Sequence, residues 1–161
     1  MQTLTIEQLQ KNATAAYASA DAPTKKVLEA LLNKKYLIPQ KITERVKTFE
    51  DALAIVPPSE NLKILLAYNG FDVVMRGAQA MAKLQVITTA LNEGWKPDWT
   101  NSGEYKWYPY FKKSGSGLSF DGAVLWYTFT TVGSRLCFKS RELAEYAAEQ
   151  FKDIYTEFMA L

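Results

Sequence analysis

At 161 residues, 48% hydrophobic and 13% aromatic, the chain is long enough to bury a core and too apolar to be a disordered segment. Its formal net charge of +2 names no partner. With no histidine and a single cysteine, it excludes histidine triads and general bases, nearly all transition-metal sites and any intrachain disulfide.

Thr5 is placed to cap a first helix, with Gln8 as capping-box partner and Ile6, Leu9, Ala13, Ala16 and Tyr17 along one side. Asp21-Ala22-Pro23 stops it and opens a second helix with an apolar stripe of Val27, Leu28, Leu31 and Leu32. The two form an expected αα-hairpin. Tyr36 to Lys41, with Pro39, reads as a connection. Thr48 and Asp51 make a capping box for a short helix that Pro57-Pro58 ends, and Ser59 caps another with Leu62, Leu65 and Leu66 inward. The longest helix runs from Phe71 to about Glu93. Its apolar residues cover most of the circumference, leaving Arg76, Gln79 and Lys83 as a polar stripe, so it is expected at the centre. Gly94 ends it and Pro97 prevents its resumption.

Next comes a segment that carries all four tryptophans: Trp95, Trp99, Trp107 and Trp126. Glu104 to Lys113 has strand composition, with Tyr105, Trp107 and Phe111 on one face and Lys106, Tyr108, Tyr110 and Lys112 on the other. Pro109 points to an edge strand or a bulge. Ser114-Gly115-Ser116-Gly117 reads as a hairpin turn, Leu118 to Thr131 as a second strand bent at Gly122, and Val132-Gly133 as a turn into a third strand from Ser134 to Lys139. Ser140 caps a closing helix whose Leu143, Ala147, Phe151, Ile154 and Phe158 face the sheet. The expected fold is α+β: a helical N-terminal half (1–93), a three-stranded antiparallel β-meander, and a C-terminal helix packed on the sheet (94–161), in a single domain.

Three groups of residues carry a likeness to known sequences. They are Thr48-Phe49-Glu50-Asp51-Ala52, then Ala90-Leu91-Asn92-Glu93-Gly94-Trp95 with Pro97-Asp98-Trp99 and Lys106-Trp107-Tyr108-Pro109-Tyr110-Phe111, and last the run Val132 to Tyr146. On these the whole chain resembles a family of small, uncharacterised proteins encoded by gut Bacteroidetes and especially their phages and prophages. It departs from the family between Asn61 and Met81, where the linker to the long helix is longer or altered. The resemblance implies a phage or mobile-element origin and brings no activity and no catalytic residues.

Charge is unevenly spread. Trp95 to Arg141 carries seven cations against three carboxylates, whereas Glu142 to Leu161 carries one against five. Tryptophan and tyrosine beside lysine and arginine suit stacking on bases and holding phosphates. The candidate ligand-binding residues are therefore Trp95, Trp99, Tyr108, Tyr110, Lys106, Lys112, Arg135 and Lys139. Against this stands a plainer role for Trp107, Phe111, Trp126 and Phe129 as the core between sheet and closing helix. Cys137 reads as a small buried hydrophobe. Asp98, Glu104 and Asp121 are the acidic residues that could converge on a hard cation.

The expectation is a non-catalytic phage or mobile-element accessory protein that needs no cofactor or metal and acts through an aromatic-basic surface, with single-stranded DNA or RNA as partner. The alternative is a protein-interaction or virion-associated component, using the aromatics against a phage protein, a host protein or a second copy. A small enzyme or carbohydrate binder comes third. The start lacks the basic and apolar regions of a signal peptide, and charged and polar residues interrupt Phe71 to Leu91. No membrane partner is expected, and the location is the host cytoplasm or the virion.

Overall fold

Side-chain caps fix where five of the described helices begin, four of them at positions the sequence marks. The computed structural model describes residues 6–33, 37, 41–114, 117–128 and 134–159. The chain divides into two units, Met1–Lys41 and Ile42–Leu161.

In the first unit, α1 (Ile6–Ser19) and α2 (Ala22–Leu31) pack on each other. The Asp21 carboxylate accepts from the Thr24 amide at 2.9 Å and Pro23 sits in the first turn, as expected of a helix start. The Tyr17 hydroxyl donates to Glu29. No residue of α2 is buried, and Val27 and Leu31 of its stripe stand exposed. Thr5 and most of the Tyr36–Lys41 connection lie outside the described residues.

The second unit starts with a short helix the sequence pattern did not mark, α3 (Ile42–Arg45). The capping box of α4 (Phe49–Ile55) is complete: Asp51 N donates to Thr48 Oγ1 and Thr48 N to Asp51 Oδ2, at 3.1 and 2.9 Å. Ser59 caps α5 (Glu60–Leu66) and Asp72 caps α6 (Val73–Leu91). The last of these is central only over its C-terminal half. Val73 and Val74 are exposed, and burial starts at Gln79. Gln79 does not join a solvated polar stripe. Its amide nitrogen donates to the carbonyls of Leu65, Leu66 and Tyr68, which satisfies the C-terminal end of α5.

The sheet has two strands among the described residues, not three. β1 (Lys106–Ser114) pairs antiparallel with β2 (Gly117–Trp126). The register slips by one between Tyr110 and Phe111, where β2 carries Asp121 as an extra residue beside Gly122, whose φ is +136°. The irregularity lies in β2 at Gly122, where a bend was expected, while Pro109 on the facing strand keeps its register opposite Ala123. Residues 115–116 and 129–133 lie outside the described residues, and with them the tip of the first turn, Phe129 and the Val132-Gly133 turn. Where a third strand was expected, Ser134–Leu136 forms a 3-10 turn, and only Phe138 bridges to Trp107. The two exchange amide-to-carbonyl bonds of 3.0 and 2.8 Å. The opposite edge of this segment is taken by a side chain. Asn92, at the end of α6, donates from Nδ2 to the Cys137 carbonyl (2.8 Å) and accepts the Lys139 amide on Oδ1 (3.0 Å). With both backbone groups met by one amide, the segment needs no further ladder.

The closing helix is likewise two helices, α7 (Arg141–Gln150) and α8 (Lys152–Met159), hinged at Phe151. The small residues Ala144, Ala147 and Ala148 of α7 are buried where it meets both strands, and α8 turns onto α6. Leu84, Ile87, Leu91, Phe138 and Tyr155 are nearly solvent-free and join these layers in one core, with Trp107 and Phe111 packed against it. Trp126, by contrast, is 37% exposed. Among the described residues no helix is long and apolar enough to cross a membrane.

Candidate functional site

Lys106 was expected to stand with Tyr108, Tyr110 and Lys112 on an open face of β1. It is 0% exposed. The loop between α6 and β1 folds over it, and its ammonium donates to the main-chain carbonyls of Asp98, Asn101 (3.1 Å) and Glu104 (3.0 Å). The Glu104 carboxylate lies 3.0 Å away as counter-charge. A lysine is tolerated inside only when its three protons and its charge are all matched, and here they are. Lys106 is thus a structural cation and does not reach solvent.

The same ion pair holds both loop tryptophans. Glu104 accepts Trp95 Nε1 at 3.2 Å and the Asp98 amide at 2.7 Å, and Lys106 Nζ lies 5.5 Å from the Trp99 ring centroid. Burial pushes the Glu104 carboxyl up, but the hydrogen bonds from the Asp98 amide and Lys106, the charge of Lys106 and the bond from Trp95 outweigh it and leave the group below its usual range. The turn that launches the loop uses two left-handed residues in succession, Glu93 at φ +51° and Gly94 at φ +85°. Glu93 is held there by its pair with Lys139 at 2.9 Å.

The indoles so positioned are half-buried, and they wall a cavity of about 300 Å³. Its other sides come from Thr88, Thr89 and Asn92 at the end of α6, from Lys96 and Pro97, and from Arg135 and Cys137. No carboxylate is among the described residues that line it. Lys96 and Arg135 are exposed, and among the described residues neither has an ion-pair partner. The other candidate cations differ: Lys112 pairs with Asp121 at 2.7 Å, Lys139 with Glu93, and Lys106 is sealed in. The C-terminal end of α6 brings about half a negative charge to this place, against two full positive ones. The cavity is therefore a positive site with aromatic walls.

The eight residues singled out in the sequence do not form one surface. Trp95, Trp99 and Arg135 meet at the cavity, with Lys106 beneath Trp99. Tyr108 is half-buried, and its side chain bonds that of Cys137 in the wall. Tyr110, 48% exposed, and Lys112 sit farther along the hairpin, and Lys139 lies on the Glu93 side. Among the wall residues not foreseen are Thr88, Asn92 and Lys96. Lys96 could have been found from its place in Trp95-Lys96-Pro97. Thr88 and Asn92 carry no local signal, because their roles come from α6 ending against Cys137.

Catalytic chemistry finds little here. Burial pushes the Cys137 thiol up, against a smaller opposing effect of the Tyr108 side chain, so it is not poised as a thiolate. Asp98 Oδ1 is occupied by the Thr100 amide and hydroxyl, Glu104 by Lys106, and Asp121 by Lys112. Among the described residues no group of three acidic or sulfur ligands could hold a metal ion. A larger cavity of about 530 Å³ lies between the start of α6 and α8, but its one cation among the described residues, Arg76, is spent on Glu157 at 2.9 Å. Comparison with protein-family models, with curated proteins and with solved structures gives no match to this chain.

Proposed function

We propose that this protein is a non-catalytic binding protein, an accessory of a phage or mobile element, whose cavity receives single-stranded nucleic acid. One observation carries the reading: Lys96 and Arg135, the two cations at the cavity without an ion-pair partner among the described residues, flank the indoles of Trp95 and Trp99. Indole faces take bases of any sequence, and free cations take the phosphates between them. The phage or mobile-element setting rests on the resemblance of the Asn92-Glu93-Gly94-Trp95 and Val132 to Tyr146 runs.

Intrinsic tryptophan fluorescence tests the reading directly, titrated with mixed-sequence single-stranded DNA and with its RNA counterpart. One or two phosphate contacts predict that affinity falls about 3- to 7-fold between 50 and 200 mM salt. Saturable quenching with that salt dependence supports the reading. Unchanged emission at tens of micromolar protein refutes it.

A second reading, a protein-interaction or virion-associated role, draws on a different place. Phe71 is 97% exposed beside Val73 and Val74, an apolar cluster suited to another protein chain or a second copy. Concentration-dependent association that Phe71→Ser abolishes would favour it.

A further inference from the structure

Resting on the nucleic-acid reading and narrowing it, we infer that the cavity takes a single nucleotide unit, one base with its own phosphate, and does not track a length of strand. Three observations lead there. The cavity measures about 300 Å³, the low end of small-ligand sites and room for one such unit. Two cations without an ion-pair partner among the described residues, Lys96 and Arg135, stand together at its rim, whereas Lys112, on the Tyr110 face of the hairpin, is tied to Asp121. A tracked strand needs a row of unspent charges, and the Tyr110 face of β1 does not offer one, with Lys106 sealed in and Lys112 paired.

The third observation lies in the wall. Thr88 is 3% exposed and lines the cavity, and its Oγ1 has no hydrogen-bond partner among the described residues. A helical threonine ordinarily turns its hydroxyl back to the carbonyl four residues earlier, as Thr89 does to Gln85 at 2.8 Å. Thr88 does not, and an unmet buried hydroxyl is a standing cost to the fold. The Asn92 amide beside it is already engaged at both ends, by Cys137 and Lys139. The Thr88 hydroxyl, buried and without a partner among the described residues, is the polar group of the wall still open to a ligand. A base seated on Trp95 or Trp99, with its phosphate at Lys96 and Arg135, turns an edge toward it. Because a hydroxyl both donates and accepts, the cavity should discriminate little among bases.

The test uses the full chain and four probes: uridine 5′-monophosphate, uridine, inorganic phosphate and a ten-nucleotide oligouridylate, each titrated by tryptophan fluorescence. The monophosphate should bind within about 5-fold of the oligonucleotide, and uridine and phosphate should each bind at least about 10-fold more weakly than it. Thr88→Val should weaken the monophosphate by about 3- to 10-fold while leaving Tm unchanged or higher, a split that a merely structural threonine would not produce. If the oligonucleotide binds and the monophosphate is more than about 100-fold weaker, the single-unit inference fails and the strand-binding reading stands. If neither binds, both fail. A Thr88→Val protein that melts earlier yet binds unchanged overturns the assignment of its hydroxyl.

Discussion

Replacing Lys106 with methionine keeps the length of the side chain and removes its charge and three donors. The loss is that of one partner of a buried pair, which costs roughly 3–5 kcal/mol. Glu104 is 25% exposed at its side chain and can rehydrate, so the lower end applies, about 3 kcal/mol. The carbonyls of Asp98, Asn101 and Glu104 lose their donor as well, and they recover water only if the loop opens. Against a total stability on the order of 5–15 kcal/mol the protein still folds, with a Tm lower by roughly 6–12 °C. The loop should loosen before the core does. Trp99 loses the cation beside its ring and Trp95 keeps only an unanchored carboxylate, so the near-UV circular dichroism of Lys106→Met should collapse while the far-UV spectrum is retained. Thermal melts followed at both wavelengths measure the two effects. A variant that melts within about 2 °C of the parent with an intact near-UV spectrum would refute a structural role for the ammonium.

Other consequences follow from the packing. Tyr155 stacks at 5.0 Å on Phe111, and its hydroxyl is buried with no partner among the described residues, so Tyr155→Phe should gain about 1 kcal/mol and raise Tm by roughly 2–4 °C; a lower Tm would reveal a bond to that hydroxyl. Asn92→Ala strands the Cys137 carbonyl and the Lys139 amide, a cost of about 2–4 kcal/mol that calorimetry should register as a Tm drop of roughly 5–15 °C, and a shift under about 1 °C would deny the side chain its edge-capping role. The carboxyls of Asp51, Asp98 and Glu104 are all held below their usual range. Their contribution is complete above the unfolded pKa of about 4 and is lost as pH falls through the lower folded values. With no histidine in the chain, Tm should be flat from about pH 7 to about pH 5 and fall only in stronger acid; a decline that begins near neutrality would contradict this.

Local chemistry was legible and long-range closure was not. The caps at Asp21, Thr48, Ser59 and Ser140 can be read from three or four adjacent residues, and each forms the bond its type predicts. The bend at Gly122 was legible for the same reason. The third strand misled because Ser134 to Lys139 alternates like a strand, whereas its outer edge is met by Asn92 from 45 residues away in sequence. No pattern within the segment records that partner. Lys106 misled in the same way: alternation along β1 sets its face, but a loop of its own chain covers that face. The break at Phe151 has neither glycine nor proline to announce it. At the site, residue type found the tryptophans and Arg135. It could not tell which cations would be spent on carboxylates, because that depends on which side chains the fold brings within reach.

The central claim is that Lys96 and Arg135, without an ion-pair partner among the described residues, stand beside two indoles to hold an anionic, base-bearing ligand. The most direct measurement is a fluorescence titration of single-stranded RNA into the parent and into Lys96→Gln/Arg135→Gln, at 50 and 200 mM salt. Saturable quenching in the parent is expected, with an affinity that salt lowers by about 3- to 7-fold, and both the affinity and its salt dependence should be largely lost in the double variant. Equal binding by the two proteins, or binding by neither, would contradict the account.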